Sequence, residues 1–332
     1  MTDTADAKRL LPTPGLEKIL LGEPPSLTRG EVADRAGVPL DLAQELWAQL
    51  GFPHAAEDDV AFTSADVEAL VRTRDLIGLG ILTPDSQAAM VRTWGRSFAR
   101  LAEWQVGLIT RLAGEGDNPA ARLDELLEEV LPHVEHLQDY AWRRHLAGAA
   151  WRLLDGTGTS TTTAVGFVDI VGYIGQSQHL TDRELVDWVE HFENHLTHTV
   201  VESGGRIIKT IGDEVLYAAE SPAGAVEVAL EAAERGTDEG DAFPQVRAGV
   251  AYGDVVSRLG DVLSPTVNIA ARLTSLARPG TVLIDRGAHD ELSGDDAGPY
   301  VFRRVPRTSV KGYSRLEPWV VRRAHGRAGS DH

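Results

Sequence analysis

The sequence predicts an α+β protein in two parts: an all-helical N-terminal domain, then a sandwich of one sheet with helices on a single face. Three observations predict it. Up to residue 154 apolar residues recur with a helical period. A glycine, serine and threonine cluster at 155–163, "DGTGTSTTT", has no apolar periodicity and reads as a linker. Beyond it, short apolar runs and amphipathic segments follow in the order strand, helix, hairpin, helix, strand. The expected domains are an all-helical domain at 1–154, the linker at 155–163, an α+β domain at 164–323 and a flexible tail at 324–332.

Taken in order, residues 27–52 predict two short helices around a turn at Gly37, a pattern that resembles the helix-turn-helix of transcription regulators. The second of these helices, "LDLAQELWAQL", carries no arginine or lysine to reach a base edge or a phosphate, so a packing role within a helical module is the better reading. Residues 64–77 form an amphipathic helix capped at Thr63 or Ser64. Across 85–113, Val91, Trp94, Phe98, Leu101, Leu108 and Leu112 recur at spacings suited to a long helix packing on a partner, with polar Gln105 in the seam. A last helix spans 119–154, where Pro132 is expected to kink or divide it.

After the linker, "TAVGFVDIVGY" at 163–173 suits a central strand. Residues 181–201 place Leu185, Val189, Phe192, Leu196 and Val200 on one helical face behind a Thr181/Glu184 capping box. A hairpin at 206–219, a helix at 221–235, a strand at 245–253, a helix at 266–277 and a strand at 280–285 complete the pattern.

Composition excludes several functions. The chain has 332 residues, 42% of them hydrophobic, and no cysteine, which removes disulfides, thiolate zinc sites and cysteine nucleophiles. The net charge of −18 is shared by both halves: residues 1–155 hold 15 basic and 25 acidic side chains, and the rest hold 17 and 25, so neither half suits a nucleic acid. The N-terminal stretch has no apolar core of secretory length and no run approaches eighteen apolar residues; a cytoplasmic protein without a membrane partner is expected.

Against this background the hairpin "RIIKTIGDEVLYAA" is unusual, because a strand-like run holds one of the chain's four lysines and two acids. Asp169 lies in an equally apolar run, "GFVDIVGY", where an acid is costly unless paired or metal-bound. Asp213 lies at the hairpin tip, where a Gly-Asp pair also serves simply to start a turn. Two such carboxylates suit hard cations of the magnesium type. Glu214 reads as a solvated hairpin residue.

The blocks "FVDIVGY", "GGRIIKTIGDEVLY", "RLGDVLSPTVNIAARLTSLARPG" and, more loosely, "SVKGY" resemble in order and spacing the motifs of class III nucleotidyl cyclases. The resemblance covers roughly 163–322. It implies a ferredoxin-like sandwich that forms head-to-tail homodimers and makes cyclic AMP and pyrophosphate from ATP. By the same resemblance, Asp169 and Asp213 bind two divalent ions, Mg2+ or Mn2+, Lys209 and Asp261 recognise adenine, Asn268 and Arg272 serve the ribose and the reacting phosphate, and Lys311 reaches the polyphosphate. The sequence departs from the family pattern at Tyr173, Ile174, Leu263 and Ser264. Lys209 as donor and Asp261 as acceptor match the N1 and amine of adenine and oppose guanine, so ATP is the expected substrate.

The N-terminal half is expected to regulate the catalytic half, through a small ligand or through protons. His133, His136 and His145, amid Glu128, Glu129 and Glu135, suggest a response to pH. Two other readings stand beside this one: a catalytically weak cyclase-fold module that binds nucleotide, and a transcription regulator using residues 27–52.

Overall fold

The computed structural model describes residues 15–80, 84–114, 118–154, 160–238, 240–258, 260–294, 299–306, 308–310 and 313–324. The chain divides into two compact units, Met1–Trp151 and Arg152–His332.

In the first unit, helices α1 (Leu16–Leu21), α2 (Arg29–Ala36), α3 (Leu40–Leu50) and α4 (Ser64–Gly78) precede two long helices, α5 (Pro84–Gly114) and α6 (Pro119–Leu154). Thr28 and Glu31 close a capping box at the start of α2, and Thr63 with Asp66 closes another at α4. The core gathers Val32, Ala36, Leu46, Trp47, Phe62, Leu70 and Val91, and an isolated bridge ties Leu27 to Phe62. Along α5 and α6 many apolar side chains stay exposed, among them Phe98, Trp104, Trp142, Leu146 and Trp151. The expected division at Pro132 is not observed, because α6 runs unbroken from Pro119 to Leu154 with the proline inside it.

The second unit begins with β1 (Ser160–Ile170), four residues inside the segment read as linker. Threonines suit an extended, half-buried strand. The Thr163 hydroxyl donates to the Ala219 carbonyl at 2.8 Å, and that of Thr162 donates to Asp254 at 2.8 Å. Then follow α7 (Tyr173–Ser177), α8 (Asp182–Glu202), β2 (Gly205–Ile211), β3 (Glu214–Ala219), α9 (Pro222–Arg235) and β4 (Val246–Arg258). The order β2-β3-β1-β4, antiparallel at every step, is the ferredoxin-like arrangement. The rest comprises β5 (Asp261–Leu263), α10 (Pro265–Leu276), β6 (Val282–Ile284), α11 (Arg286–Leu292), β7 (Tyr300–Arg304), β8 (Thr308–Val310), β9 (Tyr313–Leu316) and β10 (Trp319–Arg323). Strands β6, β10 and β7 extend the sheet beyond β4, and β5 folds back on the end of β4.

Strand alternation sorts the two faces. Val168, Ile170, Val215 and Tyr217 pack with Phe192 and Leu196 of α8 and with α9. Val165, Phe167, Leu216 and Ala251 turn the other way and meet Ala270 of α10. The expectation of helices on a single face is therefore corrected: α10 lies on the opposite face from α8 and α9. Glycine at 249 permits this, since a Cβ there would lie 2.4 Å from the Thr274 nitrogen and 2.6 Å from the Ala270 oxygen.

Because this contact seats α10 on the sheet, Gly249→Ala is expected to lower stability by about 1–3 kcal/mol through overpacking. Thermal or urea unfolding checks it, and an unchanged midpoint would show that the helix yields without cost.

Candidate active site

Three strands present a row of charged side chains on the α10 face. Arg247 of β4 is the direct cross-strand neighbour of Asp169 on β1, and Asp169 is the direct neighbour of Glu214 on β3. Arg247 donates from Nε to Oδ2 of Asp169 at 2.7 Å, and its Nη2 lies 2.6 Å from the same oxygen. The acid in an apolar run thus has its partner on the next strand, as its burial demands. Burial still raises the Asp169 carboxyl above the usual range; Arg247 opposes the shift and the charge of Asp213 adds to it.

Asp213 belongs to a two-residue turn between β2 and β3, in which Gly212 supplies the positive φ of 66°. Its carbonyl accepts the Ile170 N–H at 3.2 Å, so the hairpin tip is tied to the end of the strand that carries Asp169. Glu214, expected to be solvated, is instead half-buried in the row. Burial first, then the charges of Asp169 and Asp213, push its carboxyl to about 7.

Lys209 owes its position to a β-bulge. On β2, Ile207 pairs with Tyr217 while Lys209 pairs with Leu216, so Ile208 is the extra residue. Regular alternation would set Lys209 opposite Val215, on the face sealed by α8; the bulge moves it to the face of Leu216 and Glu214. There its Nζ donates to Oδ2 of Asp261 at 2.6 Å. Burial raises the Asp261 carboxyl, but the hydrogen bonds from Lys209 and from the Val262 N–H outweigh it and hold it below the ordinary value.

On α10, Ser264 caps the helix by accepting the Val267 N–H at 3.3 Å, which gives the departure at that position a structural reason. Asn268 and Arg272, one turn apart, are both exposed, and neither side chain makes a hydrogen bond or ion pair among the described residues. Lys311 lies outside the described residues. Of the departures on α7, Tyr173 stacks on Trp188 with centroids 5.9 Å apart, and Ile174 is exposed.

The donor set fits divalent cations in one specific sense. Asp169 and Asp213 are hard oxygen donors whose mutual repulsion an added cation would relieve. Among the described residues no three His, Asp or Glu side chains gather closely enough to hold a metal ion. A cation held by these two carboxylates alone would have its remaining positions open to phosphate and water. Sequence reasoning missed Arg247, although its signal, a charge within the strand-like run "QVRAGVAYG", is of the kind that singled out Asp169.

A family model described as the adenylate and guanylate cyclase catalytic domain matches residues 158–323. The chain belongs to that cyclase family. Its sheet, its two carboxylates and its Lys–Asp pair are thus parts of a cyclase catalytic domain, and the chain is a phosphorus–oxygen lyase. An adenylate cyclase of Glutamicibacter nicotianae is 37% identical over 94% of this chain and 82% of its own length. An adenylate cyclase of Streptomyces coelicolor is 34% identical over 95% of this chain and 90% of its own. A protein of Mycobacterium tuberculosis named a pH-sensitive adenylate cyclase is 30% identical over 90% of this chain and 79% of its own. No helix among the described residues is long and apolar enough to cross a membrane.

Glu214 provides a measurable consequence of the acidic row. Its pKa in the folded cyclase, about 7, exceeds the ordinary 4.5, so the native state binds that proton more tightly than the unfolded chain does. The resulting stabilisation is complete below 4.5 and is lost as pH rises to about 7. Relative to Glu214→Gln, the wild type should therefore lose stability across that window. Urea midpoints at successive pH values test it, and parallel curves for the two proteins would refute the burial of this carboxyl.

Proposed function

We propose that the chain converts ATP to 3′,5′-cyclic AMP and pyrophosphate, at sites shared between two copies and with two divalent cations, Mg2+ or Mn2+. The observation that carries this reading is the Lys209–Asp261 contact of 2.6 Å, on the same sheet face as Asp169. It forms a ready donor and acceptor for a purine edge, which in a shared site faces the carboxylates of the second copy, suited to the cations of a triphosphate. Lys209 donates to the adenine N1 and Asp261 accepts from the exocyclic amine; guanine presents the opposite pattern there. The naming of relatives as adenylate cyclases supports the same substrate.

In the reaction, a bond forms between the ribose 3′ oxygen and the α-phosphorus as the bond to pyrophosphate breaks, and the hydroxyl proton leaves to solvent. Asp169 and Asp213 would hold the cations, whose chemistry when bound would be to neutralise charge at the attacking and leaving oxygens. Asn268 orients the ribose. Arg272 donates its planar fork to the α-phosphate oxygens, where charge accumulates in the transition state. Lys311 meets the polyphosphate.

Asn268 and Arg272 carry the argument for a shared site, since both stand exposed on α10. Ile211, Val256 and Leu263, on the strands that bear Lys209 and Asp261 or lead to them, are also exposed, and a second copy would cover them. The N-terminal helices are read as the regulator, responsive to pH. Support comes from the relative named pH-sensitive and from the exposed positions of His133, His136 and His145 on α6.

Three experiments test these statements. Full-length protein with manganese should form cyclic AMP from ATP, and much less cyclic GMP from GTP; equal rates would overturn the base reading. Asp169→Ala and Lys209→Ala proteins, each inactive, should recover about a quarter of wild-type activity when mixed, because half the dimers would hold one intact site of two. No recovery would place all groups of a site on one chain. Exchange of His133, His136 and His145 for glutamine should flatten the pH dependence of the full-length enzyme between pH values of about 5.5 and 8. An unchanged profile would remove these histidines from the response.

A further inference from the structure

Arg247 has a geometry that charge balance alone does not require. Its Nε donates to one oxygen of Asp169, Oδ2, at 2.7 Å, and its Nη2 lies 2.6 Å from the same oxygen in the ion pair. Among the described residues no donor reaches the other oxygen, Oδ1. A guanidinium that merely neutralised a carboxylate would gain most by straddling both oxygens, with one N–H on each. Gripping a single oxygen at two points instead stops the carboxylate from rotating. The backbone beneath is equally fixed, since β1 is a central strand and Arg247 is the direct cross-strand neighbour of Asp169. The Asp169 side chain is only 14% exposed, whereas that of Arg247 is 36% exposed. The open oxygen is therefore the part of Asp169 left to meet a ligand.

We propose that Arg247 is a positioning residue for Asp169: by holding Oδ2 it presents Oδ1 to a divalent cation. The inference rests on Asp169 being a cation ligand, as the proposed function has it. Carboxylates that ligate metals are commonly fixed by a hydrogen bond on the other oxygen, and loss of such a partner typically costs about 10–100-fold in metal affinity. A competing effect has the opposite sign, because removal of a positive charge beside the site favours cation binding. Orientation should prevail here: without Arg247, no neighbour fixes Oδ2, and the carboxylate beside Glu214 and Asp213 is no longer aimed.

The test is binding of manganese(II) to the full-length protein, followed by electron paramagnetic resonance, both alone and with 3′-deoxy-ATP, which lacks the attacking hydroxyl. Arg247→Ala should weaken manganese binding by about 10–100-fold. Arg247→Lys, which keeps the charge but not the two-point grip, should recover only part of that loss. Thermal unfolding of both variants shows that the fold persists, and the lysine variant keeps the test decisive if the alanine variant does not fold. Manganese binding to either folded variant as tightly as to wild type, or more tightly, would overturn the inference, because Arg247 would then be a competitor or a bystander. Asp169→Ala serves as the reference: wild-type affinity in that variant would overturn the reading of Asp169 itself, and with it the proposed cation site.

Discussion

A carboxylate on a central strand must find a positive partner within the sheet or give up its charge, and Asp169 resolves this across a single ladder rung. Its ion pair with Arg247 couples β1 to β4 on the face that α10 only partly covers. The face opposite is closed by α8 and α9 over Val168, Ile170, Val215 and Tyr217. The α8 and α9 side is apolar at these positions, whereas the α10 side combines an apolar cluster under the helix with the charged row.

That division explains why the acidic side chains behave differently. Asp261, hydrogen-bonded by Lys209 and by a backbone N–H, stays readily ionised. Glu214, next to two acids and reached only indirectly by Arg247, gives up its charge near neutral pH. Position in the row, rather than residue type, decides which carboxylates are held negative and which can share a proton.

Much of this was legible in the sequence. The helix spans, the Thr181/Glu184 box and the Gly-Asp hairpin follow from periodicity and capping chemistry, and Asp169 was conspicuous as an acid among apolar neighbours. The face on which α10 packs was not legible, because it depends on a glycine whose neighbours are distant in sequence. Nor was the bulge at Ile208: a run such as "RIIKTI" does not reveal which residue leaves the ladder. Arg247 and Glu214 were missed for a shared reason. Each looks like a tolerable strand charge by itself, and only strand register shows that both flank Asp169. At the other end of the chain, the unbroken course of α6 through Pro132 shows a long helix absorbing a breaker that local rules treat as a boundary.

The bulge also separates two tasks mechanically. Lys209 rides on β2, the outermost strand on its side of the sheet, and Asp261 on a three-residue strand off the main path, whereas Asp169 is anchored at the centre. If Lys209 and Asp261 read the base and Asp169 serves the phosphates, as proposed, substitutions that retune the accepted nucleobase would fall at the periphery and leave the phosphate chemistry undisturbed. A scaffold built this way would drift between purine substrates while its reaction stayed the same.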